Sequence, residues 1–154
     1  MKNLILTVAL LAFAASAYAE QEQIVYRKGT QQSFKGPAEY FTGDVTVDML
    51  FPPNETAQFS GAYVTFQAGA RTNWHEHPAG QHMIVTDGIA LTGTRDGKNI
   101  EFGKGETVWC PVGIDHWHGA TPDAPMTHLV ISGIKDGKAV VWKEKVTDEQ
   151  YMKR

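Results

Sequence analysis

The sequence predicts a single all-β domain, and three observations lead to that prediction. Short apolar runs are separated by turn residues, and no long stretch has the 3.6-residue period of an amphipathic helix. The Asp-Gly pairs at 87–88, 96–97 and 136–137 supply the turn chemistry that closes β-hairpins. The chain has 154 residues, which is the usual size of one domain. We therefore expect one domain over residues 20–154.

Four segments predict strands, and one predicts a helix. Val45–Met49 alternates between apolar and polar residues, and Ala62–Phe66 is rich in aromatic and β-branched residues. Met83–Val85 and Leu129–Ile131 are short apolar runs of the kind found in sandwich strands. Thr147–Gln150 has the form of a capping box, which predicts a short helix at the C-terminus.

The first 19 residues have the order of a secretory signal. Lys2 precedes the apolar run Leu4–Ala15, and Ala17–Ala19 supplies small residues for cleavage. The apolar run is shorter than the roughly 20 residues that a membrane-spanning helix needs. We expect residues 1–19 to be a signal peptide whose removal leaves an exported protein without a membrane anchor, in a bacterial periplasm or secreted. A buried N-terminal helix is the alternative.

Composition excludes other classes of function and of stabilisation. Lys and Arg number 14 against 17 Asp and Glu, so the net charge of -3 offers no basic excess to a nucleic acid. Cys110 is the single cysteine, so no intramolecular disulfide can form and stability must come from the core.

All six histidines fall within residues 75–128. His75 and His77 are two residues apart, a spacing that puts both imidazoles on one face of an extended segment. Gln81 follows a Pro-Ala-Gly turn that can return its amide oxygen toward the same point. His116 and His118 repeat the spacing. A single histidine is more often structural, but two such pairs favour a metal site, and nitrogen and oxygen donors without thiolate suit Mn, Fe, Ni, Zn or Co.

Two segments resemble the motifs of the cupin family. The first is Gly69–Gln81 followed by Gly88, with Gln81 where cupins usually carry Glu. The second is Gly105–His116. The resemblance implies a double-stranded β-helix, a jelly-roll barrel that encloses one divalent metal. It also implies the four metal ligands, namely His75, His77, Gln81 and His116.

Further segments resemble a subgroup of small bacterial cupins. They are residues 36–43, 74–78, 116–121, 126–128 and 146–151. The subgroup includes manganese-dependent (R)-selective hydroxynitrile lyases and proteins named carboxymuconolactone decarboxylase-like. The resemblance implies Mn²⁺ as the metal, a small-molecule substrate, and a homo-oligomer, either a dimer or a tetramer.

The same resemblance implies that His118 and His128 line the substrate pocket. A neutral imidazole titrates near pH 6.5, about the pH at which it can exchange a proton with a bound substrate. We predict that His128 is the general base and that His118 hydrogen-bonds the substrate or cyanide. A purely structural role is the alternative for His118.

Four more residues are expected at the pocket. Thr72 precedes the first ligands and can bring a hydroxyl near the metal, although threonine is also ordinary in strands. Ala62 and Val64 share one face of a strand and are pocket residues by resemblance, with plain core as the alternative. Ser132 stands where relatives carry a longer amide side chain, which changes the expected pocket volume.

Three functions remain open from the sequence. The first is a lyase that cleaves or forms cyanohydrins of aldehydes, and its mark is turnover without oxygen. The second is a metal-dependent dioxygenase, because a three-histidine metal with open positions can bind O₂, and its mark is oxygen consumption. The third is an exported non-enzymatic protein that binds a small molecule. The donor pattern favours an enzyme.

Overall fold

The computed structural model describes residues 22–153, so the predicted signal peptide, residues 1–19, lies outside the described residues. Within this range no helix has both the length and the apolar character needed to span a membrane. The strands are β1 (Ser33–Lys35), β2 (Phe41–Thr42), β3 (Val45–Phe51), β4 (Phe59–Phe66), β5 (Arg71–Thr72), β6 (His75–Glu76), β7 (Gln81–Asp87), β8 (Ile89–Thr94), β9 (Asn99–Gly103), β10 (Thr107–Cys110), β11 (His116–Ala120), β12 (Met126–Gly133) and β13 (Val141–Trp142). The helix α1 is Asp148–Met152.

One sheet has six antiparallel strands in the order β1-β3-β4-β12-β7-β10. Strand β12 lies between β4 and β7, so Ser132 is opposite Ser60 on one side and Gln81 on the other. Inward and outward side chains alternate along β12, and Met126, His128, Val130 and Ser132 are the buried members. This strand therefore brings a polar residue of the barrel interior beside Gln81.

The second sheet contains three of the six histidines, namely His75, His116 and His118. Its strand order is β13-β6-β11-β5-β2, and β8 pairs with both β11 and β9. His116 at the start of β11 is opposite His75 in β6 and also opposite Thr94 in β8. Trp142 in β13 lies opposite His75 on the other side of β6. The pairing of short strands brings residues far apart in sequence into contact around His75.

The predicted all-β fold with a short C-terminal helix is confirmed. Each of the four predicted strand segments lies within an observed strand: β3, β4, β7 or β12. The predicted capping box is also present, because Thr147 Oγ1 accepts from the Gln150 N–H and Gln150 Oε1 accepts from the Thr147 N–H. At the turn between β8 and β9, Gly97 has φ +79°, a left-handed conformation that glycine adopts without a Cβ clash.

The core divides into two clusters. The larger one lies between the two sheets and includes Val45, Phe66, Met83 and Met126. The smaller one lies beneath α1 and consists of Trp74, Leu91, Trp117, Val146 and Tyr151.

The smaller cluster is anchored by buried polar contacts. The Tyr151 hydroxyl donates to the Ala120 carbonyl at 2.7 Å. Arg71 donates to the Val146 carbonyl, pairs with Asp148 at 2.5 Å, and lies over the Tyr151 ring. The C-terminal helix is thereby fixed to the back of β5 and β11, the strands that carry Thr72, His116 and His118.

Candidate metal centre

Three histidines and one glutamine converge in the barrel interior. His75 lies in β6, His77 follows that strand directly, and His116 begins β11. Gly80, with φ +76°, turns the chain into β7 so that Gln81 enters the barrel. The ring of His75 lies 4.3 Å from that of His116 and 5.0 Å from that of His77, between centroids.

Backbone carbonyls fix the orientation of the three imidazoles. The Nδ1 atoms of His75, His77 and His116 lie 2.9, 2.7 and 3.0 Å from the carbonyl oxygens of Asn73, Ala139 and Ile114. A carbonyl only accepts, so each Nδ1 carries the proton and each Nε2 carries a lone pair. Such a hydrogen bond from the second ring nitrogen is typical of metal-binding histidines.

The lone pairs have no protein partner. The Nε2 atoms of His77 and His116 and the Oε1 atom of Gln81 are buried without a hydrogen bond among the described residues. The Gln81 Nε2 donates to the Ser132 hydroxyl at 2.8 Å, which turns Oε1 away from Ser132. Buried acceptors are costly when unsatisfied. This donor set therefore fits a divalent metal, for which a neutral imidazole nitrogen and an amide oxygen are suitable ligands.

His118 lies beside this set. One ring nitrogen from each of His75, His116 and His118 lies within 4.8 Å of the other two, close enough for the three to hold one metal ion. The backbone N–H of His118 donates to Thr72 Oγ1 at 3.1 Å, and His118 Nδ1 is buried with no hydrogen-bond partner in residues 22–153. The site thus offers three histidines to a divalent metal, with His77 and Gln81 as further donors. The set of four ligands implied by the resemblance stays a prediction.

Burial keeps the imidazoles neutral. It lowers the pKa of His75 well below its usual value, and the neighbouring His116 and His77 add to the shift. Burial also lowers the pKa of His77 to about 4, that of His116 below its usual range, and that of His118 well below it. Neutral imidazoles are the form that binds metals, so no proton has to leave before binding at neutral pH.

A cavity of about 390 Å³ opens onto these donors. The polar side chains at its wall include His75, His77, Gln81 and His118. The four residues predicted to line the substrate pocket all lie on the wall as well, namely Thr72, Ala62, Val64 and Ser132. His116, although part of the donor cluster, does not line the cavity.

The sequence did not reveal the aromatic wall of this cavity. It consists of Phe34, Tyr40, Phe41 and Trp142, and the rings of Tyr40 and Trp142 stack 4.9 Å apart with their planes 13° from parallel. These residues come from distant segments, and no local pattern indicates that they meet. The only available signal was the likeness of residues 36–43 to the small bacterial cupins.

His128 occupies a different position from His118. Its side chain is fully buried and is not among the residues that line the cavity. Its ring lies 5.0 Å from that of His118, and neither of its nitrogens has a partner among the described residues. Burial lowers the pKa of His128 to about 3. His128 thus packs against His118, which lines the cavity, but is not itself part of the cavity lining.

Comparisons with known proteins agree with the fold. The protein-family model of the cupin domain matches residues 62–132 of the chain. The chain is 51% identical over 127 residues to an (R)-mandelonitrile lyase of Granulicella tundricola, which covers 82% of this chain and 97% of that protein.

Solved structures are similar as well. A cupin-like protein of Thermotoga maritima has 35% identity and a TM-score of 0.71, covering 84% of this chain and 95% of that one. A polyketide cyclase of Streptomyces resistomycificus, with 16% identity and a TM-score of 0.63, covers 85% of this chain and 90% of its own and shares the fold alone.

Proposed function

The chain belongs to the cupin family, and from that premise we propose that it is a metal-dependent lyase that cleaves or forms cyanohydrins of aldehydes. The observation that carries the proposal is that His77, Gln81 and His118, at the wall of a cavity with an aromatic side, each have a buried nitrogen or oxygen atom without a hydrogen-bond partner among the residues that the structure describes. The 51% identity to an (R)-mandelonitrile lyase supports the reaction class. Carbon–carbon bond cleavage in a cyanohydrin needs a polarised oxygen, a proton acceptor and a place for the aldehyde, and each has a candidate here.

The ligands in this proposal are His75, His77, Gln81 and His116, and the metal is Mn²⁺. Because imidazoles and an amide carry no charge, a divalent metal held by them keeps its full charge and acts as a strong Lewis acid toward a carbonyl or alkoxide oxygen. The Nδ1 hydrogen bonds of the histidines and the Ser132 contact of Gln81 hold these side chains in the required orientation before anything binds.

We propose that the histidine pair His118 and His128 moves the proton. In cleavage, the hydroxyl proton of the cyanohydrin passes to an imidazole, the oxygen forms the carbonyl, and the cyanide departs with the electrons of the carbon–carbon bond. His118 lies at the cavity and would contact the substrate and cyanide, and we propose His128, whose ring centroid lies 5.0 Å from that of His118, as the base. The lowered pKa of both rings keeps them neutral before the reaction and makes the protonated ring a strong acid, which would readily give the proton to the departing cyanide.

The remaining cavity residues fit the organic part of the substrate. The stacked rings of Tyr40 and Trp142 offer an aromatic surface, and Ala62 and Val64 contribute small apolar side chains to the same cavity. Thr72 and Ser132 add hydroxyl groups to the cavity lining. We propose an aryl aldehyde as the product of cleavage.

The decisive test is mandelonitrile cleavage by the manganese-loaded protein under nitrogen, with benzaldehyde followed by absorbance. Turnover that needs both metal and Gln81 supports the lyase, and Gln81→Ala is the control. Absence of turnover with metal bound contradicts it. Oxygen uptake with other substrates would then favour a dioxygenase, and inactivity throughout would favour a binding protein.

The proton path is tested by two variants. His128→Ala should keep its metal and lose turnover, and His118→Ala should weaken both turnover and cyanide binding. Full activity of His128→Ala would remove that residue from the mechanism. Metal content of each variant, measured by atomic absorption, separates a lost ligand from a lost base.

We further propose an exported protein that forms a homo-oligomer. The signal-like order of residues 1–19 supports export, and the test is N-terminal sequencing of protein recovered from the periplasmic fraction. Large apolar side chains exposed on the outward side of the six-stranded sheet, Tyr63 and Trp109 among them, support contact with a second copy. Light scattering on the eluting protein distinguishes monomer, dimer and tetramer.

A further inference from the structure

Asn73 is hydrogen-bonded both to the metal-ligand candidate His75 and to the segment that carries Tyr40 of the cavity wall. Its side chain is 3% exposed. Its backbone N–H donates to the Tyr40 carbonyl at 2.8 Å, and its own carbonyl accepts from His75 Nδ1 at 2.9 Å. The main chain of one residue thus joins a cavity-lining segment to a ligand.

The Asn73 amide joins a second segment. Its Nδ2 donates to the carbonyls of Glu39 at 2.9 Å and Lys143 at 3.1 Å, which are 34 and 70 residues away in sequence. Carbonyl oxygens only accept, so only the NH₂ side of the amide can face them. Asn73 Oδ1 is buried without a partner among the described residues. Pairing with the two carbonyls therefore decides the orientation of the amide, even though its own acceptor is left unsatisfied.

The two carbonyls flank the aromatic stack. Glu39 precedes Tyr40, and Lys143 follows Trp142, the two residues whose rings stack at the cavity. Trp142 also lies opposite His75 in the pairing of β13 with β6, with the ring centroids 5.0 Å apart. Asn73 itself does not line the cavity. The hydrogen bonds of Asn73 therefore fix the position of the Tyr40–Trp142 stack relative to His75.

We propose that Asn73 is a positioning residue that holds the Tyr40–Trp142 wall against His75 and so sets how tightly the cavity holds its substrate. The expected change in KM rests on the proposed function. The expected change in backbone protection does not, because the hydrogen bonds are present whatever the substrate is.

Two substitutions separate this role from simple filling of space. Asn73→Ala removes both donors and leaves a small void. Asn73→Asp keeps the volume but turns carboxylate oxygens toward two carbonyl oxygens. If Asn73 only fills space, the alanine variant is the more disturbed. If it acts as a donor to both segments, the aspartate variant is the more disturbed, because a buried charge then faces acceptors.

Asn99 provides a matched control. Its Nδ2 also donates to two backbone carbonyls, those of Gln150 at 3.2 Å and Lys153 at 2.5 Å, and it does not line the large cavity. Asn99→Ala therefore removes the same kind of double contact at the C-terminal helix.

The test is amide hydrogen exchange followed by mass spectrometry on each full-length protein, together with mandelonitrile kinetics. Both Asn73 variants should speed exchange by about tenfold in peptides 37–42 and 139–144, and Asn99→Ala should leave these peptides unchanged. KM should rise about fivefold in Asn73→Ala with a smaller change in kcat. The proposal is overturned if exchange is unchanged in either peptide. It is also overturned if exchange is faster in Asn73→Ala than in Asn73→Asp.

The wild-type protein gives a second test that needs no variant to fold. Along a denaturant series, peptides 37–42 and 139–144 should open as one unit with the same denaturant dependence. Different opening behaviour of the two peptides overturns the proposal. If the protein does not turn over mandelonitrile while exchange behaves as expected, the reaction is wrong and the role of Asn73 stands.

Discussion

Replacing Ser132 with alanine tests how the amide of Gln81 is held for a metal. Both side chains are buried, and the Gln81 N–H donates to the Ser132 hydroxyl at 2.8 Å. Alanine leaves that N–H without a partner, which costs about 1–3 kcal/mol. It also allows the amide to turn its NH₂ group toward the histidines in place of Oε1.

The size of the effect follows from that hydrogen bond. Loss of a group that orients a metal ligand lowers metal affinity by about 10–100-fold. A tenfold weaker metal affinity corresponds to about 1.4 kcal/mol of binding free energy. This value lies within the range of about 1–3 kcal/mol for an unsatisfied N–H. We therefore expect Ser132→Ala to bind Mn²⁺ about tenfold more weakly, at the lower end of that interval.

The assay is calorimetric titration of metal-free protein with manganese chloride. Ser60→Ala is the matched control, because Ser60 lies opposite Ser132 on β4, lines the same cavity, and makes no hydrogen bond to Gln81 among the described residues. It should bind manganese as the wild type does. Equal affinities of the two variants would show that Ser132 does not orient Gln81.

Three further outcomes are expected. The metal-free protein should lose about 2 kcal/mol of unfolding free energy at pH 5 through His128, because its pKa of about 3 keeps it neutral while the unfolded chain takes up a proton. The free energy of unfolding thus decreases as the pH is lowered below about 6.5. Urea unfolding at several pH values should show this decrease, and it should be smaller in His128→Leu. Burial raises the pKa of Cys110 to about 12, so iodoacetamide should alkylate this thiol at pH 8 only after unfolding, and equal rates would contradict the burial. Tyr151→Phe should lower stability by about 1 kcal/mol by deleting the hydrogen bond to Ala120, and an unchanged melting temperature would contradict this.

Local features of the fold were predictable because they depend on neighbouring residues. The alternation of Val45–Met49 and the capping box of Thr147–Gln150 each contain their own structural cause. The two-residue spacing of His75 and His77 and the turn before Gln81 likewise indicated convergence, which the structure shows as rings about 5 Å apart. The resemblance to cupins placed His116 in the same cluster.

The surroundings of the donors were not predictable in the same way. The carbonyl of Ala139, which fixes the His77 ring, leaves no trace in the sequence because every residue has a carbonyl. The amide of Asn73 meets Glu39 and Lys143 through long-range pairing that no local pattern encodes. The resemblance predicts His128 at the pocket wall, whereas its ring packs against that of His118 and is not part of the cavity lining, a distinction that depends on packing of side chains between two strands.

The central place of β12 has a consequence for the speed of folding. This strand pairs with β4 on one side and β7 on the other, and residues 67–125 separate it from β4 in the chain. Domains that depend on such distant pairings fold in milliseconds to seconds, since loop closure precedes most of the favourable contacts. Gln81 and Ser132 meet only when this strand pairs with β7, so we expect the Gln81 amide to be oriented late in folding. We therefore expect a bound ion to slow unfolding of the barrel more than it speeds folding.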